Sequence, residues 1–219
     1  MKNGITEFVF ILDKSGSMSG LEGDTIGGFN AMIEDQKKQE GKVYVSTILF
    51  SSYSKVLHDR LPLEKVEPLT EKDYRVGGCT ALFDAIGGAV KHIANVHKYA
   101  REEDVPEHTL FVITTDGYEN ASRQFNKEGV KKLIKQQEEK GWEFLFVAAN
   151  IDAAEVGEEI GFRKERVANY DAREGTGVLY EQIAETSRQF RIDGRIFDNW
   201  SEEIEKTTKR KKDNGRKDG

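Results

Sequence analysis

FVFILDKSGSMSG, residues Phe8 to Gly20, is the stretch on which the fold turns. Its five large apolar residues in a row, Phe8 to Leu12, read as a strand covered on both faces. The run stops at Asp13, and Ser15 and Ser17 follow at every second position with Gly16 between them. A buried strand that ends in three small oxygen-bearing side chains has two explanations. Turns favour Asp, Ser and Gly for backbone reasons of their own. Alternatively, the oxygens gather around a ligand.

Three further runs share the character of the first: KVYVSTILF, TLFVITT and WEFLFVAA. Between them lie segments with helical spacing. Leu21, Ile26, Phe29 and Ile33 form one stripe, closed by Gly41. Leu82, Ile86, Ala89 and Ile93 form a second, and Val130, Leu133, Ile134 and Gln137 a third, closed by Gly141. A short helix over Ala153–Ile160, a short strand over Arg166–Tyr170 and a last helix from Gly175 to about Arg191 complete the pattern. FSSYSKVLH leaves no room for a crossover helix, so its two strands must pair as an antiparallel hairpin, the second at a sheet edge. Pro62 and Pro68 then suit an irregular connection. The sum is an α/β fold: a Rossmann-like, doubly wound, mostly parallel sheet with one antiparallel edge strand and helices on both faces. In such sheets a ligand lies beyond the carboxyl ends of the strands, where the strand order reverses.

With 219 residues, 33% of them charged and 37% hydrophobic, the expectation is one domain over residues 1–200, large enough to bury a core. The apolar run near the N-terminus is shorter than the roughly 7–15 residues of a secretory leader or the about 20 of a membrane span. The single cysteine, Cys79, has no mate for an internal disulfide. A cytoplasmic protein without a membrane segment is therefore expected. The net charge of −6 is uneven. From Lys206 to Gly219 seven basic residues stand against two acidic ones, a net +5 that leaves −11 for residues 1–205. An acidic body argues against nucleic acid as a partner, apart from weak contacts by the tail. Residues 201–219 are expected to be a charged, disordered, solubilising tail.

Three loops should meet at the carboxyl ends of the strands. The first strand runs into Asp13-Lys14-Ser15-Gly16-Ser17, TLFVITT runs into Asp116-Gly117, and Gly77-Gly78-Cys79 leads to Thr80 at the start of the second long helix. Each has a plain explanation taken alone. Thr80 suits a helix N-cap, Asp-Gly is a common turn pair, and Ser15 and Ser17 suit a turn. Those explanations do not say why oxygens from three loops collect at the binding edge of one sheet.

The order Asp-x-Ser-x-Ser, then Thr after Gly-Gly, then Asp-Gly after a strand resembles the von Willebrand factor A (vWA) domain. The resemblance covers about residues 5–192 and implies that Asp13, Ser15, Ser17, Thr80 and Asp116 form a metal-ion-dependent adhesion site (MIDAS). The chemistry suits Mg²⁺, with Mn²⁺ as an alternative, because a hard ion takes six oxygens at about 2.0–2.1 Å. The three hydroxyls would ligate it, and the two carboxylates would balance its charge directly or through water. The resemblance further implies an open position filled by an Asp or Glu of a partner protein. The expected function is thus a metal-dependent protein-binding module, an adaptor or scaffold, not an enzyme. The resemblance is to intracellular members of the family, which often work as scaffolds or substrate adaptors, several of them beside AAA+ ATPases, so an ATPase-linked complex is an implied setting.

Around the site Lys14, Met18, Tyr53, Tyr118 and Glu119 are expected to form a rim that meets the partner, Lys14 by steering acidic groups. Asn150 reads as a loop cap at the same edge, and Cys79 as a small buried side chain, since a hard-ion site has no use for sulfur. The four histidines are scattered, without zinc spacing. Two other functions compete. A magnesium-dependent phosphatase of haloacid-dehalogenase type would use Asp13 as nucleophile, but Ser15 stands where that chemistry needs a second aspartate. A metal-free structural subunit of the same fold would leave the five oxygens idle. Finally, the pairs Gly27-Gly28 and Gly87-Gly88 inside helices predict close packing on the sheet, since each such glycine costs about 1 kcal/mol against alanine. By resemblance, a terminal helix that shifts when the metal gains a carboxylate is the other reading.

Overall fold

The first strand, β1 (Thr6–Asp13), is buried along its whole length, and its side chains alternate between two cores. Phe8, Phe10 and Leu12 enter one, Val9 and Ile11 the other. A strand in the middle of a doubly covered sheet has no solvent side, which is why the run is apolar throughout. The computed structural model describes residues 4–172 and 175–214. It places β1 between β2 (Val43–Phe50) and β4 (His108–Thr115), both parallel to it. The full order is β3 (Ser54–Pro62), β2, β1, β4, β5 (Glu143–Ala148), β6 (Val167–Asn169), with β2–β3 the antiparallel pair. The chain leaves β1 first toward β2 and later returns to its other side as β4, so the strand order reverses beside β1.

The helix α1 (Glu22–Lys37) and α5 (Thr176–Asp193) cover one face, packing Phe29, Met32, Leu179, Ile183 and Phe190 on Phe8 and Phe10. The other face takes α2 (Leu82–Tyr99), α3 (Lys127–Glu138) and α4 (Ala153–Ile160), through Ile86, Ile93, Val130, Ile134 and Ile160. Each of these large side chains stabilises the fold by about 1.5–3 kcal/mol when fully buried. No helix among the described residues is long and apolar enough to cross a membrane.

The segment from residue 201 departs from expectation. It forms a helix, α6 (Glu202–Asn214), that docks on the body through buried Ile204 and Thr207. Trp200, also buried, donates its indole N–H to the Glu165 carbonyl at 2.8 Å just ahead of it. The Thr207 hydroxyl accepts the Asp171 amide at 3.1 Å. Residues 215–219, the rest of the expected tail, lie outside the described residues.

The glycine pairs divide cleanly. A Cβ on Gly28 would come within 2.3 Å of the Tyr180 ring of α5, and one on Gly87 within 2.4 Å of the Phe125 ring. Gly27 and Gly88 have open space. The close approach is therefore to side chains beside the sheet and not to the sheet itself. Gly28→Ala is expected to lower stability by about 1–3 kcal/mol through overpacking, and Gly27→Ala to raise it by up to about 1 kcal/mol. Urea unfolding of the two variants checks this, and equal effects would contradict the packing described.

At the amino end of the sheet, Glu7 is fully buried and accepts from Arg60 Nε and His97 Nε2. Arg60 lies over the Tyr44 ring, 5.0 Å from its centroid, and His97 meets Trp142 edge-on. Arg60 has a positive φ of 47°, and its amide bonds the Ser46 hydroxyl at 3.0 Å where the β2–β3 register slips. These bulges kink the edge strand and blunt its open side.

Candidate metal centre

At the carboxyl end of β1 the Asp13 side chain, fully buried, is held from two directions. Its Oδ1 accepts the Ser15 amide at 2.7 Å, which turns the chain out of the strand, and its Oδ2 accepts the Thr115 hydroxyl at 2.6 Å. A single 3₁₀ turn, Gly16–Met18, follows. It brings the Ser15 and Ser17 hydroxyls to 3.0 Å from each other, and Ser17 donates on to Asp116 Oδ1. Asp116 stands just past the end of β4, 3% exposed. Gly117 beside it shows the convergence: a Cβ there would sit 3.2 Å from Ser17 Oγ and 3.3 Å from Thr80 Oγ1. Oxygens from three loops thus share one small volume.

Thr80 does not cap α2. The N-cap is Ala81, and the free amides of the first turn go elsewhere, Phe83 N–H to Glu119 Oε2 at 2.8 Å and Asp84 N–H to Ser122 Oγ at 3.0 Å. Asn120 instead grips the Thr80 main chain on both sides, its Oδ1 accepting the amide at 2.8 Å and its own amide donating to the carbonyl at 3.0 Å. The hairpin turn supports the same loop, with Ala81 N–H to the Ser51 carbonyl at 2.8 Å and Cys79 N–H to Ser52 Oγ at 2.9 Å.

Burial pushes both carboxyls above the usual carboxylate range. For Asp13 the Thr115 hydroxyl and the Ser15 amide pull back. For Asp116 the Ser17 hydroxyl pulls back, and the neighbouring Asp13 charge pushes further up. Two acids that resist ionising together favour a cation between them. The decisive atom is Asp116 Oδ2, which is buried and has no hydrogen-bond partner. Buried carboxylate oxygens are rarely left so. Among the described residues no group of three or more His, Cys, Asp or Glu side chains is set to hold a metal, so a cation here needs the hydroxyls. Neutral hydroxyls with two carboxylates suit a hard divalent ion.

The ArnB paralog VWA2 from Sulfolobus acidocaldarius superposes with a TM-score of 0.54 over 83% of this chain and 45% of that one, at 14% identity. The chain has a vWA-like fold. A second vWA-like structure, proximal thread matrix protein 1 from the mussel byssus, gives a TM-score of 0.55 at 12% identity, covering 84% of this chain and 46% of that one. The same mussel protein has also been solved with a zinc-occupied MIDAS motif, at a TM-score of 0.54 and 12% identity, over 83% of this chain and 45% of that one. The chain therefore spans just under half the length of these vWA-like neighbours. Comparison of the sequence with protein-family models and with curated proteins gave no match.

Of the expected rim, Tyr53 and Tyr118 are exposed, at 78% and 56%. Lys14 is half-buried and donates its ammonium to the Arg75 carbonyl at 3.3 Å. Met18 is not on the rim. The 3₁₀ turn swings it under the loop into the core that also takes Leu21. The Glu119 carboxylate also faces inward, taken by the amides of Phe83, Ala121 and Ser122. Cys79, expected buried, is exposed. Asn150 is exposed in the left-handed region, φ 57°, beyond the end of β5. Sequence reasoning missed Thr115, Asn120 and Tyr74, whose phenol donates to the Asp13 carbonyl. Only Thr115 left a trace, as a hydroxyl at the last position of a strand entering the site.

Proposed function

We propose that this vWA-like chain is a metal-dependent protein-binding module whose cation is held by Ser15, Ser17, Thr80, Asp116 and Asp13. The observation that carries the reading is the unpartnered, buried Asp116 Oδ2, on a carboxylate whose Oδ1 takes the Ser17 hydroxyl and next to a Gly117 that lies against the hydroxyls of Ser17 and Thr80. Asp13 has both oxygens engaged within the protein, so its charge balances the ion while Asp116 offers the free carboxylate oxygen. An all-oxygen set of this kind favours Mg²⁺, with Mn²⁺ next, over softer ions. Bound there, the cation supplies a positive centre for a carboxylate of a partner protein. Tyr53 and Tyr118 offer exposed aromatic surface of the sort enriched at interfaces. A cytoplasmic setting belongs to the same proposal and rests on the lone cysteine.

The phosphatase reading fares worse on geometry. A nucleophilic Asp13 would have to reach substrate, yet it is fully buried and both oxygens are occupied. Titrating Mn²⁺, followed by electron paramagnetic resonance, into wild type and Asp13→Ala tests the proposal. One saturable site that disappears in the variant is the expected result. No uptake by the wild type at millimolar Mn²⁺ would return the chain to a metal-free structural role.

A further inference from the structure

Tyr74 lies in the irregular segment between β3 and α2 and is 1% exposed. Its phenol donates to the main-chain carbonyl of Asp13, and the reason that carbonyl needs it is visible in the sheet. The peptide that sends Lys14 N–H to the Phe50 carbonyl of β2, at 2.8 Å, sends the Asp13 carbonyl the opposite way, toward β4. But β4 has stopped pairing there: the β1–β4 register ends at Leu12↔Thr114. Asp13 is the residue at which the two strands part to open the site. Tyr74 supplies the donor that β4 no longer offers, and a buried carbonyl left without one is costly.

The phenol is also the first of four ties between the two hydroxyl-bearing loops. Lys14 Nζ donates to the Arg75 carbonyl at 3.3 Å, Gly77 N–H to the Lys14 carbonyl at 2.9 Å, and Gly16 N–H to the Gly78 carbonyl at 3.1 Å. The segment that ends in Thr80 is thereby fastened, residue by residue, to the loop that carries Ser15 and Ser17. Gly78 needs its glycine for this, with φ at +83° and a would-be Cβ only 2.7 Å from Ser52 Oγ.

We propose that Tyr74 is a positioning residue of the cation site, setting where Asp13 and the Ser15–Ser17 loop stand without touching the ion. This rests on the metal reading given above. Groups that orient ligands from behind them matter to affinity by about 10–100-fold when removed. The test compares Mn²⁺ affinity and melting temperature in wild type, Tyr74→Phe and Tyr180→Phe. Tyr180 is a suitable control, since its side chain is buried in the same core while the phenol that donates to the Asp13 carbonyl is that of Tyr74. Both variants keep their rings, so packing survives, and both lose one buried hydroxyl. Tyr74→Phe is expected to weaken Mn²⁺ binding about 10-fold or more, while Tyr180→Phe leaves it unchanged despite a similar drop in melting temperature. Binding that is unaltered in Tyr74→Phe, or weakened equally in both variants, overturns this inference alone. A wild type that takes up no Mn²⁺ overturns the metal reading and this inference with it.

Discussion

Saturating Mg²⁺ is expected to raise the melting temperature of the wild type by about 5–10 °C at neutral pH, and that of Asp116→Asn not at all. An ion at 100 times its dissociation constant stabilises the folded state by about 2.7 kcal/mol. For a chain of this size each kcal/mol moves the transition by about 2–4 °C. The metal-free proteins should differ in the other direction. Burial holds the Asp13 and Asp116 carboxyls above their unfolded values. Such a group favours the fold while protonated, and that advantage is lost as pH rises through the folded-state value. Metal-free wild type therefore loses stability as pH rises above the ordinary carboxylate range, and Asp116→Asn escapes part of that loss. The cation needs both carboxylates ionised, so its effect grows with pH and shrinks as pH falls through the raised values. Melting curves at pH 5 and 7.5, with and without Mg²⁺, read all of this. A metal-induced rise that persists in Asp116→Asn would remove Asp116 from the site.

The largest loss of stability from one substitution should come from the opposite end of the sheet. Glu7→Ala is expected to cost about 3–5 kcal/mol, because removing one partner of a buried ion pair strands the other. Arg60 would be stranded badly: its side chain is only 18% exposed and its Nη2 already has no hydrogen-bond partner. His97 would lose its acceptor as well. Replacing the pair together, Glu7→Leu with Arg60→Met, should recover much of the loss, since apolar residues of similar volume often match a buried ion pair. Urea unfolding of the single and double variants decides. A single-variant loss under about 1 kcal/mol would mean that the pair contributes little beyond its own desolvation.

Much of this was legible in the sequence, for identifiable reasons. Phe8–Leu12 has no polar position because both faces of β1 are covered, and FSSYSKVLH is too short to cross over. The oxygens of Asp13, Ser15, Ser17 and Asp116 lie near one another because they follow adjacent strand ends at a reversal of strand order, and Thr80 joins them from just ahead of α2. What failed to show was side-chain direction. Nothing in SGSMSG says that Met18 turns under its own loop. Glu119 looks like a surface acid because three of its four donors are main-chain amides, which every sequence has. Tyr74 is 61 residues from the carbonyl it serves. The stretch after residue 200 carries too few apolar residues to signal a helix, and Ile204 with Thr207 docks it all the same.

The distances along the chain that defeat sequence reading also set when the site can exist. Its ties join residues 61, 99 and 102 positions apart. Closing loops of that length comes late in folding, after shorter-range structure has formed. An unfolded or half-folded chain therefore offers a cation nothing to hold. Interactions absent from the folding transition state leave the refolding rate almost untouched and appear instead as slower unfolding. A cation bound there would be a latch on the finished molecule: it would lengthen the native lifetime without helping the chain to reach it.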